Sequence, residues 1–160
     1  MAVHAVGKVA QIFAGRGVAA EHPAHDNATG IAATGRLLGE LDEGFVFTNL
    51  VDTDQLFGHR RDVAGFHGSL RRTDAALGSW LERLRPDDLL VLTADHGCDP
   101  THRGTDHTRE HVPLLAVFGA GDGRRVGGPM ADVGASVLEW LTGASAPLPG
   151  TSFAGPAATG

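Results

Sequence analysis

Three dense apolar runs, FVFTNLV at 45–51, DLLVLTA at 88–94 and PLLAVF at 113–118, constrain this chain more than any other feature. They do not alternate apolar with polar residues as a strand with one wet face does, so each reads as a strand covered on both sides. Segments with helical spacing lie between and around them. Ile31, Leu37, Leu38 and Leu41 mark one face of a helix that starts near Asn27 or Thr29. Phe66, Leu70, Leu77, Leu81 and Leu84 line one side of a second helix running from an N-cap at Asp62. A short strand, VHAV at 3–6, and a short helix within KVAQIFA come first, AAEHPAHDNATG reads as a loop, and Val133–Leu141 closes the pattern as an amphipathic helix.

Buried strands alternating with helices predict an α/β protein, a layered α/β/α core with a mostly parallel sheet. Residues 1–143 read as one core domain, and 144–160, rich in Ala, Pro, Gly and Thr, as a loose surface tail. A chain that reaches a core strand within four residues has no ordinary lead-in, which predicts a fragment. The missing N-terminal part of the same protein is then an expected partner.

Charge and composition exclude some functions. The net charge of −6, with no basic cluster, argues against nucleic acid as a partner. No apolar run approaches the ~20 residues needed to span a bilayer, and the N-terminus lacks a signal pattern, so a cytoplasmic address follows by default. Cys98, the single cysteine, permits no internal disulfide and reads as structural.

In a parallel sheet the chemistry collects beyond the carboxyl ends of the strands. Two such stretches, VDTDQLFGHRRD and ADHGCDPTHRGTDHTREH, each combine Asp and His. Asp54 and His59 flank a Gly58 turn, Asp95 and His96 are adjacent just past a strand, and His107 follows in the same loop. Asp95 and His96 can serve one site only because the strand ends there and Gly97 lets the backbone turn. Carboxylate and imidazole without thiolate suit divalent ions such as Mn, Zn or Fe, with Mg tolerated. Five ligands exceed what one catalytic ion takes from protein, whereas two ions can clamp the attacking and leaving oxygens of a phosphoryl group.

The motifs VGKVAQIFAGRG, TNLVDTDQLFGHRRDVAG and LTADHGCDPTHRGTDHTREHVP, in this order, resemble phosphopentomutase of the alkaline phosphatase superfamily. The resemblance implies an isomerase of (deoxy)ribose 1- and 5-phosphates that uses two divalent cations, manganese, and a phosphorylated threonine. It implies one ion on Asp54, His59 and His107, and a second on Asp95 and His96. It also implies an incomplete core, because the family's N-terminal strand, threonine nucleophile and cap domain have no counterpart here. None of Thr48, Thr93, Thr105 and Thr108 lies at the nucleophile's motif position, so no catalytic residue is assigned.

Arg60 and Arg61 are candidate contacts to the sugar-phosphate substrate, with Lys8 and Arg109 behind them. Asp99 and Asp106 are read as orienting metal-binding histidines or capping turns, and His111 as a polar bystander. Two alternatives stay open: a metal-dependent phosphatase or sulfatase of the same superfamily, and a non-catalytic metal-binding fragment.

Overall fold

The computed structural model describes residues 1–118, 128–145 and 148–154. Its contacts divide the chain into two compact units: Met1–Arg83 with Cys98–Arg109, and Leu84–Gly97 with the described residues from Glu110 onward.

The first unit is α/β. Strand β1 (Val3–Val6) lies between β2 (Ala20–His22) and β3 (Phe45–Thr48), parallel to both. Successive side chains of a strand point to opposite faces, and β1 uses both. Ala5 packs on Val9 and Ala10 of α1 (Val9–Ile12), while Val6 packs on Ala24 and on Leu37 of α2 (Asn27–Glu40). Parallel strands with helices on both faces are the predicted layering. Strand β2 falls in the stretch expected to be loop, because three residues flanked by proline and charge carry no apolar periodicity of their own; only pairing with β1 makes them a strand.

Asp26 caps α2, accepting hydrogen bonds from the Thr29 N–H at 2.7 Å and the Thr29 hydroxyl at 2.6 Å. Helix α3 (Val63–Leu81) starts as expected, with Asp62 accepting from the Gly65 N–H at 2.9 Å. Its leucine side is not the packed side, however. Leu70 and Leu81 are 49% and 43% exposed, whereas Ser69 and Trp80 are buried. The inner stripe carries Ser69 and Trp80 instead, and α2 approaches it closely. A Cβ on Gly35 would lie only 3.1 Å from the Trp80 indole nitrogen. Strand β3, expected to be covered on both faces, leaves Phe47 43% exposed and stacked on Phe45.

The second unit pairs β4 (Leu89–Thr93) with β5 (Leu114–Phe118) in antiparallel register, Leu89 opposite Phe118 and Thr93 opposite Leu114. The third apolar run is therefore a strand, but one that returns beside its predecessor. Helix α4 (Ala131–Thr142) sets Trp140 against Phe118, with ring centres 5.4 Å apart. Its buried Asp132 and Ser136 accept the N–H groups of Thr151 and Phe153 at 2.8 and 2.9 Å, tying residues 151–154 down. The other parts of the expected tail at 146–147 and 155–160 lie outside the described residues. No helix among the described residues is long and apolar enough to cross a membrane.

Candidate metal centre

Beyond the carboxyl end of β3 the chain enters a π-helix, Thr53–Gly58, which explains how two residues five apart converge. On an α-helix a five-residue step rotates a side chain about 140° away from its start. Here the His59 N–H donates to the Asp54 carbonyl at 3.0 Å, closing an i→i+5 ring that sets His59 directly above Asp54. The helix then ends with Arg61 in the left-handed region at φ 57°, its N–H on Gly58 and that of Asp62 on Phe57, each at 2.9 Å. This double bond pattern satisfies the last carbonyls of the turn. Lys8, beyond the end of β1, donates to Gln55 Oε1 at 2.9 Å.

The loop 98–109 supplies the third side chain. Asp99 folds it, with the Thr101 N–H and hydroxyl donating to Asp99 Oδ1 at 2.8 and 2.7 Å. The Thr101 hydroxyl bond, followed by the Thr101 N–H, holds the Asp99 carboxyl below its ordinary value. Of the two roles open to Asp99, it takes that of capping the turn. The Asp99 N–H donates to the Thr108 hydroxyl at 2.7 Å, stapling the loop shut next to His107. The loop meets the π-helix at Gly58, where a Cβ would stand 2.4 Å from Cys98 Sγ. Glycine is required there by contact, and Cys98 is a packing residue of this junction.

Asp54, His59 and His107 meet as a result. His59 Nε2 is 3.4 Å and His107 Nε2 3.5 Å from Asp54 Oδ1, and the two rings are 4.9 Å apart at a 38° tilt. Asp54 Oδ1 is buried and accepts no hydrogen bond. His59 Nδ1 lies against the Thr105 carbonyl, which can only accept, so Nδ1 carries the proton. Across the site, His59 Nε2 faces a buried carboxylate oxygen that accepts no hydrogen bond.

A cation shared by the two groups would stand between them. Nitrogen and oxygen ligands held about 2.0–2.2 Å from a tetrahedral ion stand about 3.4 Å from each other, beyond the usual hydrogen-bond range. A second ring nitrogen held by a carbonyl, as His59 Nδ1 is by Thr105, is the kind of outer contact that orients a histidine able to bind a metal. These residues fit a divalent cation.

In the second unit, Asp95 and His96 follow β4, and the strand ending turns their side chains toward each other. His96 Nε2 is 3.5 Å from Asp95 Oδ1, and His96 Nδ1 is 3.2 Å from the Gly97 carbonyl. The Asp95 carboxylate is 81% exposed. Arg60, Arg61, Asp106 and His111 are also exposed. Sequence reasoning missed the Thr105 carbonyl and the Thr108 hydroxyl, for which no motif exists. It also passed over Asn27, read only as a helix start, whose side chain bonds to Asp52 ahead of the π-helix.

Residues 3–144 match the family model described as "Metalloenzyme superfamily". The phosphopentomutase of Anaeromyxobacter sp. (strain K) is 52% identical over 140 residues, covering 85% of this chain and 36% of the relative. The phosphopentomutase of Acetivibrio thermocellus is 46% identical over 157 residues, covering 96% of this chain and 40% of the relative. That of Sinorhizobium medicae is 48% identical over 142 residues, covering 87% and 35% respectively. The chain thus spans little more than a third of the length of these curated relatives.

Proposed function

Because the chain belongs to the metalloenzyme superfamily, we propose that it carries the cation-binding part of a phosphopentomutase, which interconverts (deoxy)ribose 1-phosphate and (deoxy)ribose 5-phosphate. In this reading Asp54, His59 and His107 hold one divalent cation and Asp95 and His96 a second, both manganese. The reaction belongs to nucleoside salvage in the cytoplasm, with a sugar phosphate as substrate. The observation that carries the reading is the buried Asp54 Oδ1, without a hydrogen bond and faced by two imidazole nitrogens.

Bound cations neutralise charge on a transferring phosphoryl group and orient the attacking oxygen. The chain's own part is to hold geometry. The π-turn and the Thr105 carbonyl fix His59, the Thr108 staple fixes the position of His107, and the exposed Asp95 carboxylate remains open to an incoming ligand. Arg60 and Arg61, at the mouth of the π-helix, offer guanidinium groups to the substrate phosphate. No threonine of this chain is assigned as the phosphoryl carrier.

The test is to incubate the protein, with any part of the reading frame that precedes this chain, with ribose 1-phosphate and Mn2+. Formation of ribose 5-phosphate supports the mutase. Release of free phosphate without ribose 5-phosphate would replace it with a hydrolase.

A further inference from the structure

A buried polar network sits immediately ahead of Asp54, and its centre is Asn27, the first residue of α2. Asn27 is only 3% exposed, and every polar group it offers to the neighbouring elements is engaged. Its main-chain N–H donates to Asp52 Oδ2 at 2.9 Å, and its side-chain Oδ1 accepts the Asp52 main-chain N–H at 2.9 Å. The two residues therefore grip each other through both backbone and side chain. Asn27 Nδ2 reaches Ser69 Oγ of α3 at 3.1 Å and Thr53 Oγ1 at 3.5 Å, and those two hydroxyls are 2.8 Å apart.

Three elements converge on this one amide: the N-terminus of α2, the entry of the π-helix and the packed stripe of α3. Asp52, 9% exposed, sets its carboxylate at the positive end of α2, on the Asn27 N–H. Burial makes the bonds consequential, since each group left unpaired in such a place loses its solvation without replacement. Asp52 and Thr53, both held by Asn27, lead directly into Asp54. The π-turn bond from the His59 N–H to the Asp54 carbonyl, at 3.0 Å, follows directly on that entry.

We propose that Asn27, acting through Asp52, is a positioning residue for the cation site. It fixes the start of the π-helix so that Asp54 and His59 present their ligand atoms together. The inference rests on Asp54 being a cation ligand, and it adds a residue that is distant in sequence and touches no ligand atom.

Two readouts on the full chain test it. In the metal-free protein, hydrogen exchange of the His59 amide reads the positioning itself. Asn27→Ala and Asp52→Ala should each accelerate it about fivefold relative to an amide in the middle of α3, while Asp52→Asn, which keeps an acceptor for the Asn27 N–H, should restore it. Titration with Mn2+ reads the consequence, with affinity falling about tenfold in the two alanine variants and returning in Asp52→Asn. Native exchange at His59 in a folded Asn27→Ala protein would overturn the proposal. Wild-type protein that binds no Mn2+ would overturn the functional reading instead, with the exchange measurement still deciding the role of Asn27.

Discussion

His59 and Asp54 are joined twice, once through the backbone, where the His59 N–H donates to the Asp54 carbonyl at 3.0 Å, and once across the site, where Nε2 stands 3.4 Å from Oδ1. The first contact is structural and fully satisfied. The second brings an imidazole nitrogen to a buried carboxylate oxygen that accepts no hydrogen bond. A π-helix is a rare solution to chain geometry and is enriched at functional sites. Here it is the device that makes a five-residue spacing act as a pair.

The junction between the π-helix and the loop 98–109 predicts a coupled pair of substitutions. Gly58→Ala places a methyl 2.4 Å from Cys98 Sγ and 3.2 Å from the Thr53 carbonyl, so the loop or the helix must move. The expected cost is about 1–3 kcal/mol in urea unfolding. Removing the thiol in Gly58→Ala/Cys98→Ala should recover most of it, a non-additivity that a double-mutant cycle measures directly.

The Thr108 staple predicts a separation between hydroxyl and shape. Thr108→Val keeps the volume but leaves the Asp99 N–H without its acceptor, which should cost about 1 kcal/mol. It should also weaken Mn2+ binding, because His107 is the neighbouring residue. Thr108→Ser should behave as wild type in both measurements.

His22 predicts a pH dependence unrelated to metal. Burial, followed by the facing His4 and Arg36, lowers its folded value from 6.5, with Glu40 opposing them. The ring is stacked on His4, with their nitrogens 3.1 Å apart. The unfolded chain therefore binds the proton more readily. Stability from this group is fully present above about pH 6.5 and is lost as the pH falls from there through the folded value. The melting temperature of wild type should drop more between pH 7.5 and pH 5 than that of His22→Gln; equal drops would remove the prediction.

The elements were legible where a local signal coincided with the packing. Asp62 was readable as an N-cap because its contact with Gly65 is three residues away. The leucines of α3 misled because leucine spacing reports an apolar stripe and not which stripe is covered. The stripe that packs carries Ser69, whose hydroxyl belongs to the Asn27 network. The antiparallel return of β5 beside β4 was not readable, since a strand covered on both faces looks alike in either direction.

For the site, the sequence showed the acids and imidazoles of two loops, and the structure sets His96 Nε2 3.5 Å from Asp95 Oδ1 just past β4. The inclusion of His107 with Asp54 and His59 came from the family resemblance. What fixes the site was not legible: a π-turn bond, a backbone carbonyl at Thr105 and an amide at position 27 are set by tertiary geometry.

The most direct measurement is equilibrium Mn2+ binding to the wild-type chain and to Asp54→Asn, which keeps the shape and removes the charge. The reading predicts that wild type binds the cation and that Asp54→Asn and His107→Ala each lose most of the affinity while keeping the wild-type circular dichroism spectrum. Folded Asp54→Asn protein that binds Mn2+ as tightly as wild type would contradict it.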